Sequence, residues 1–253
     1  MRRNLIMHLY PKREGQNWRR SVAHLLARWS LFNGRKIISV AIDTSTDSWQ
    51  TVREAFGPDS GAEFIEIHNT ALQEAQSLPG LLSEVEAYSK DEITFYCHAK
   101  GCTHTENRAS HLWADAMFAA CLDYPDLVDC VLSEKAACGA FRSTQQIGNS
   151  PSAWHFAGTF FWFKNWDLFR RNWRSHEDVF WGAESYLGRH FYFHESACLF
   201  YDNAQTAHLY HVSFWDSTIL PAFRTWRGRL AACGATPLCS NPPVTPEILK
   251  AMV

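Results

Sequence analysis

Residues 36–56, KIISVAIDTSTDSWQTVREAF, contain the pattern that decides the fold. The run KIISVAID (36–43) is apolar, which is typical of a strand buried on both faces of a sheet. The polar loop DTSTDS follows, and residues 48–56 predict a short helix that ends before Gly57 and Pro58. A strand, a loop and a helix in this order form one unit of an α/β fold.

The same unit recurs through the first half of the chain. Further strands are predicted over 4–10, 63–69 and 92–98, and further helices over 18–32, 77–89 and 106–122. This alternation predicts an α/β protein with a mostly parallel central sheet and helices on both faces. The second half is mixed, with strands predicted over 129–134, 138–141, 155–163 and 198–202, and helices over 165–172 and 179–190. We expect a single domain over 1–253, with halves 1–124 and 125–234 and a Pro-rich tail, 235–253.

Composition excludes several classes of protein. The chain is 46% hydrophobic and 20% charged with a net charge of −2, so nothing favours nucleic acid as a partner. The N-terminal apolar run is too short for a secretory signal, and no stretch approaches the roughly 18 apolar residues of a membrane span. These observations predict a cytoplasmic protein without a transmembrane segment.

Open parallel sheets bind ligands where loops leave the carboxyl ends of their strands. Neither G-x-G-x-x-G nor G-x-x-x-x-G-K-[ST] occurs in those loops, which disfavours dinucleotide enzymes and P-loop NTPases. Asp43 ends the second predicted strand, where a carboxylate can accept hydrogen bonds from a base or from ribose hydroxyls. The alternative role for Asp43 is to close a turn.

The stretch VAIDTSTDSW resembles the VDDGSTDGT pattern of glycosyltransferases with the A-type (GT-A) fold. The resemblance implies a Rossmann-like half, 1–124, that binds a nucleotide-activated sugar, and an acceptor and catalytic half, 125–234. It further implies that Asp43 contacts the nucleoside of the sugar donor.

A second stretch, HFAGTFFWF followed by WGAES, resembles the galactosyltransferase-like pattern of F-G-G, an aromatic strand and W-G-G-E-D. The resemblance makes Glu184 the catalytic base for an acceptor hydroxyl, and places Gly158, Thr159 and Trp181 in the sugar and acceptor cleft. Ser185 replaces the second acid of that pattern. A structural alternative for Glu184 is an acid at a helix N-terminus. Other acids that could serve as the base are Glu177, Asp178 and Glu195.

The fourth predicted strand ends in HAKG, where this family carries the Asp-x-Asp that holds a divalent metal against the diphosphate. A bacterial branch found with polysaccharide-assembly genes has a similar H-[AT]-K-G stretch. His98, Lys100 and Gly101 are therefore expected to bind the diphosphate in place of a metal, because a leaving diphosphate needs cationic stabilisation. The missing Asp-x-Asp disfavours Mn²⁺ or Mg²⁺ as a cofactor. Further candidates for contact with the donor are Arg142, His208 and His211.

Two alternatives remain open at the level of sequence. The stretch FYCHAKGCTH also suggests a zinc site, but Cys97 and His98 are adjacent on a strand and point to opposite faces. A catalytically inactive sugar- or nucleotide-binding module would also fit the loss of Asp-x-Asp. The two family resemblances favour a glycosyltransferase that moves a sugar from a nucleotide-activated donor to a hydroxyl of a glycan or another acceptor.

Overall fold

The computed structural model describes residues 1–103 and 106–239. Its strands, in chain order, are β1 (Arg2–Leu9), β2 (Lys36–Ile42), β3 (Glu63–His68), β4 (Glu92–His98), β5 (Ala137–Ala140), β6 (Arg142–Ser143), β7 (His155–Phe156), β8 (Phe161–Lys164) and β9 (Ser196–Phe200). In this part of the chain, seven strands form a central sheet in the order β3-β2-β1-β4-β8-β5-β9, and β6 pairs with β7.

The α-helices are α1 (Asn17–Leu26), α2 (Trp49–Phe56), α3 (Leu78–Glu84), α4 (Arg108–Leu122), α5 (Pro125–Glu134), α6 (Asn165–Phe169), α7 (Gly182–His190), α8 (Val212–Phe214) and α9 (Leu220–Ala232). Short 3₁₀ helices span Trp29–Leu31, Gln73–Gln76, Phe193–Glu195 and Thr206–Tyr210, and a π-helical segment spans Trp215–Ile219. Within the described ranges, no helix combines the length and apolar character needed to cross a membrane.

The predicted α/β class with a mostly parallel sheet is confirmed. Strands β3, β2, β1 and β4 are parallel to one another, and β9 is parallel to β5. Strand β8 runs antiparallel to both of its neighbours, β4 and β5, so the second half of the sheet is mixed.

The order of the strands reverses between β1 and β4. From β1 the chain moves outward through β2 to β3, and it then returns to place β4 on the other side of β1. His8 of β1 lies directly opposite His98 of β4 in the register. In open α/β sheets such a reversal leaves a crevice beyond the carboxyl ends of the two strands, which is the usual place for a ligand.

Alternation along β4 decides which of its side chains reach this crevice. Phe95 and Cys97 belong to the core that packs against α1 and α4, whereas Tyr96 belongs to the core on the α3 and α7 face. Successive side chains of a strand point to opposite faces, so His98 shares the face of Tyr96. The separation of Cys97 from His98 that argued against zinc at this strand is present in the structure.

The prediction of a strand over 129–134 is wrong, because these residues form the end of α5. Pro125 at the start of α5 supplies a helical φ angle, and Asp126 lies in the first turn, where an acid is favoured. Val128 and Leu132, four residues apart, are both buried. That spacing is a helical period.

The segment predicted as one strand over 155–163 is two strands, β7 and β8, separated by a tight turn. Gly158 and Thr159 in that turn have φ angles of +89° and +62°. Such angles cannot continue a strand, and they are unusual for a residue with a side chain.

Residues 203–234 form a region for which the sequence predicts no helix or strand. Its principal element is α9, which packs Phe223 and Trp226 against the core. From the predicted tail, residues 240–253 lie outside the described residues. Within 235–239, the N–H of Leu238 donates to the carbonyl of Asp123 at 2.8 Å.

Candidate functional site

A polar cavity of about 270 Å³ opens beyond the carboxyl ends of β1 and β4. Four of the residues singled out in the sequence line it: His98, Lys100, Gly101 and Glu184. The side chains come from distant parts of the chain, since β4 supplies the first and α7 the last. The cavity therefore occupies the crevice that the sheet topology favours.

His98, the last residue of β4, is a neutral imidazole. Its Nε2 lies 3.1 Å from the carbonyl oxygen of Gly158, and because a carbonyl can only accept, Nε2 carries the proton. Burial, together with the positive charge of Lys100, lowers the pKa of His98 to about 3. Nδ1 is therefore an unprotonated acceptor at neutral pH.

The turn around Gly158 connects His98 to Glu184. The N–H of Gly158 donates to Oε1 of Glu184 at 2.8 Å, while its carbonyl accepts from His98. A side chain at Gly158 would collide with Met117, whose Sδ would lie 2.7 Å from the added Cβ. The turn thus requires glycine for both its φ angle and its close packing. Thr159 is buried in the turn and does not line the cavity.

Glu184 lies in the first turn of α7, where the helix dipole favours a carboxylate. Within the described part of the chain, its Oε2 makes no hydrogen bond, and its side chain is 19% exposed. A buried histidine, His155, approaches Oε1 with Nε2 at 4.0 Å, and burial lowers the pKa of His155. Glu184 therefore has one oxygen fixed by the backbone and one oxygen available to a ligand.

Ser185, which replaces the second acid, points away from Glu184 and toward another carboxylate. Its hydroxyl donates to Oε2 of Glu177 at 2.7 Å, and Ser150 donates to the same oxygen at 2.6 Å. Glu177 is not among the residues that line the cavity. The sequence alternatives Asp178 and Glu195 also lie outside it, paired with His176 and Arg171 respectively.

Lys100 supplies positive charge to the cavity. Its Nζ lies 3.8 Å from the ring centroid of Trp113 and 5.5 Å from that of Tyr210, both cation–π contacts. Among the described residues, no carboxylate lies within 4.0 Å of this ammonium group. Gly101, with a φ angle of +82°, lets the chain turn immediately after Lys100.

Asp43 does not line the cavity, but it accepts hydrogen bonds from Tyr10 and Asn69, which do. Its Oδ1 accepts from the N–H and the hydroxyl of Ser45, both at 2.7 Å. Its Oδ2 accepts from the hydroxyl of Tyr10 at 3.0 Å and from Nδ2 of Asn69 at 2.8 Å. Burial alone would raise the pKa of Asp43, but these hydrogen bonds outweigh it and hold the pKa at about 2.

The remaining candidates from the sequence lie elsewhere. The guanidinium of Arg142 is bound internally: Nε and Nη2 donate to Asp202 at 2.9 and 2.6 Å, and Nη1 donates to the carbonyl of Ser196 at 2.8 Å. His208 packs against Phe214 with ring centroids 5.3 Å apart, and neither His208 nor His211 lines the cavity.

The aromatic side chain that lines the cavity is one residue away from Trp181, the residue expected from the sequence. The ring of Trp181 packs against Gly148, where an added Cβ would lie 2.5 Å from it. The preceding Phe180, 54% exposed, lines the cavity instead. In the same way Tyr210 lines it, between His208 and His211.

Several lining residues were not singled out from the sequence: His8, Tyr10, Asn69, Thr70, Gln73, Glu74, Phe180 and Tyr210. Asp43 and His98 are candidates because they lie at the carboxyl ends of predicted strands. The same argument applies to His8 and Tyr10, which lie at the carboxyl end of the first predicted strand. Glu74 lies six residues beyond β3 and carries no local pattern that could have identified it.

Among the residues that the structure describes, no three His, Cys, Asp or Glu side chains converge as a set of ligands. From the stretch FYCHAKGCTH, which suggested zinc, Cys102 lines the cavity, and His104 lies outside the described residues.

Comparison with known proteins adds little to this geometry. Neither a scan of protein-family models nor a search of curated proteins finds a match. Among solved structures, one described as "Crystal structure of 4-diphosphocytidyl-2C-methyl-D-erythritol synthase" matches with a TM-score of 0.41 and 10% identity, over 88% of this chain and 99% of that one. A likeness this distant carries no argument about activity, so the function has to be inferred from the residues of this chain.

Proposed function

We propose that the chain is a glycosyltransferase that moves a sugar from a nucleotide-activated donor to an acceptor hydroxyl, in the cavity beyond the carboxyl ends of β1 and β4. One observation carries the proposal. Lys100, whose ammonium group has no carboxylate within 4.0 Å among the described residues, and Glu184, a carboxylate with a free oxygen, line the same polar cavity at the sheet's reversal point.

Lys100 would act on the leaving group. When the bond between the anomeric carbon and the diphosphate oxygen breaks, the electron pair moves onto the diphosphate, whose negative charge increases. An ammonium group fixed over the ring of Trp113 can stabilise that charge without reorganising. The turn at Gly101 leaves backbone close to the same place.

Glu184 would act on the acceptor. As the acceptor oxygen forms its bond to the anomeric carbon, its proton passes to Oε2 of Glu184, the oxygen not bound by Gly158. Because the N–H of Gly158 fixes Oε1, the carboxylate keeps a single orientation. If the reaction retains configuration, Glu184 would orient the substrate instead.

Nucleoside binding would use Asp43 indirectly. Its four internal hydrogen bonds leave no acceptor site for a base or ribose, but they fix Tyr10 and Asn69, which line the cavity. We therefore assign contact with the nucleoside to Tyr10 and Asn69, and a positioning role to Asp43.

A sugar-nucleotide-binding module without activity is the second candidate. The observation that favours it is Ser185, which occupies the place of a second acid and is already bonded to Glu177. Turnover separates the two candidates, since a module binds the donor without consuming it.

The experiment is a thermal-shift and hydrolysis screen of UDP-, GDP-, ADP-, dTDP- and CMP-linked sugars, with and without excess EDTA. A ligand that binds the folded state raises Tm with concentration. The proposal expects donor hydrolysis that persists in EDTA and falls at least about 100-fold in Glu184→Gln, in line with the loss of a general base. The exposed Asp178→Asn is the matched control and should keep full turnover.

Each other result has a defined meaning. Binding without hydrolysis by wild type would favour the inactive module. Full turnover in Glu184→Gln would remove the base assignment. Activity that is lost in EDTA and restored by Mn²⁺ would show that a metal ion, and not Lys100, stabilises the leaving diphosphate.

A further inference from the structure

Two hydrogen-bond acceptors face each other on the cavity wall without a donor between them. Oε1 of Glu74 lies 3.8 Å from Nδ1 of His98, and each side chain is 14% exposed. Nδ1 has no proton, because the single proton of the neutral imidazole is on Nε2, where it is donated to Gly158. The pair is thus not an ion pair, and the 3.8 Å separation is too long for a direct hydrogen bond.

The carboxylate of Glu74 is left unpaired by its surroundings. Within the described ranges it accepts no hydrogen bond, and the nearby His8 is also neutral, since burial lowers the pKa of His8 to about 4. A carboxylate on a cavity wall that accepts no hydrogen bond from the protein can accept one from a ligand. Gln73, immediately before it, has a φ angle of +50°. Backbone strain of this kind persists where the surroundings hold it, often at ligand sites.

We propose that Glu74 and His98 form a subsite for two neighbouring hydroxyl groups of a sugar ring, each hydroxyl donating to one acceptor. Hydroxyls are neutral donors, so they satisfy both groups without requiring His98 to take up a proton. The inference rests on the proposed function for the identity of the sugar, which is that of the nucleotide donor. Lys100, in the same cavity, would hold the anionic part of that donor.

Glu74→Gln tests the subsite, because it preserves shape while changing a carboxylate into an amide. The amide N–H can donate to Nδ1 of His98, which would close the subsite from within. The unliganded variant should therefore melt at a higher Tm than wild type, the usual result when a strained or unpaired ligand-binding group is removed. Glu66→Gln is the control, since Glu66 on β3 is exposed and outside the cavity.

The binding arm compares a sugar nucleotide with its sugar-free counterpart. For wild type and both variants we would measure the Kd of UDP-glucose and of UDP, or of the corresponding pair for whichever donor the screen identifies. Loss of hydrogen bonds to a charged acceptor predicts that the sugar nucleotide binds Glu74→Gln at least about tenfold more weakly. The Kd of the nucleoside diphosphate should be unchanged, as should both constants in Glu66→Gln.

The two arms separate this inference from the proposed function. A fall in Tm below that of Glu66→Gln would identify Glu74 as a structural carboxylate and overturn the subsite. Unchanged sugar-nucleotide affinity in Glu74→Gln would overturn it too, while leaving the proposed function intact. If wild type binds no sugar nucleotide, the proposed function fails, and titration with glucose and myo-inositol decides the subsite. Binding of either by wild type but not by Glu74→Gln supports it, and binding of neither overturns it.

Discussion

His98 and Glu184 are linked through the two polar groups of a single residue. The imidazole of His98 donates to the carbonyl of Gly158, and the N–H of Gly158 donates to the carboxylate of Glu184. The two side chains come from β4 and α7, so this residue couples the end of a central strand to the start of a helix. Any movement of the turn at Gly158 therefore displaces both groups at once.

Gly158→Ala should disrupt this link. The φ angle of +89° disfavours alanine, and the new Cβ would meet Sδ of Met117 at 2.7 Å. Strain and overpacking together predict a loss of about 2–4 kcal/mol in the free energy of unfolding, measured by urea denaturation. Turnover should fall as well, because Glu184 loses its fixed orientation.

Gly228→Ala is the control for that substitution. Gly228 lies within α9, and nothing lies within 4 Å of the position of an added Cβ. Alanine in a helix interior should raise the free energy of unfolding by about 0.5–1 kcal/mol. A Gly158→Ala protein as stable as wild type would show that the turn can relax, against our account of it.

Lys100→Gln should weaken the binding of nucleoside diphosphates while leaving the free nucleoside unchanged. Charge-assisted contacts to phosphate are worth roughly 1.5–3 kcal/mol, so a change of about tenfold or more in Kd is expected by calorimetry. Lys90→Gln is a close control, because Lys90 also lies over a tryptophan ring, that of Trp166 at 5.2 Å, and does not line the cavity. Equal losses for nucleoside and diphosphate in Lys100→Gln would contradict the role given to Lys100.

Stability should fall as pH falls below neutrality, in part because of His8 and His98. Their pKa values are about 4 and about 3 in the folded protein, against 6.5 as the ordinary value, with burial the main cause. Below pH 6.5 the unfolded chain binds protons that the folded chain excludes, so the free energy of unfolding decreases with falling pH. Each histidine contributes a slope of up to about 1.4 kcal/mol per pH unit.

The double variant His8→Asn/His98→Gln should show a shallower decline between pH 6.5 and 4.5 in urea denaturation. The pKa of Asp43, lowered from 3.8 to about 2, adds stability above pH 3.8 that is lost only as pH falls from 3.8 toward 2, below this window. The exposed His211→Asn should follow wild type. An identical slope in wild type and the double variant would mean that neither histidine is neutral by burial.

Arg142→Ala should affect stability and not ligand binding. Its guanidinium bridges Asp202 and the carbonyl of Ser196, and its side chain is 8% exposed. Removing it leaves those acceptors without a donor, and we expect a loss of about 2–4 kcal/mol in the free energy of unfolding. If the stable fraction of the variant bound sugar nucleotides more weakly than wild type, the contact with the donor suggested by its position in the sequence would regain support.

Prediction from sequence succeeded where the deciding interactions are local. The apolar runs that became β1, β2 and β4 are buried along most of their length, whereas β3 combines exposed and half-buried residues. Both patterns can be read along the chain without knowledge of the fold. Prediction failed at DCVLSE (129–134), because a short run of this kind fits a strand or a helix equally. These residues belong to α5, which begins at Pro125. Prediction also failed to divide 155–163, because the φ angles at Gly158 and Thr159 are imposed by contacts with distant residues.

The sequence by itself determined the α/β class, the parallel order of the first half, and the arrival of His98 and Lys100 at a carboxyl edge of the sheet. Strand alternation and helix periodicity are properties of neighbouring residues, so they can be inferred along the chain. Only the tertiary structure decided which polar groups share the cavity. It joined His98 to Gly158 across 60 positions and Gly158 to Glu184 across 26. It also bound Arg142 internally and brought Glu74 to His98, because packing between elements, and not local sequence, fixes where side chains from separate loops meet.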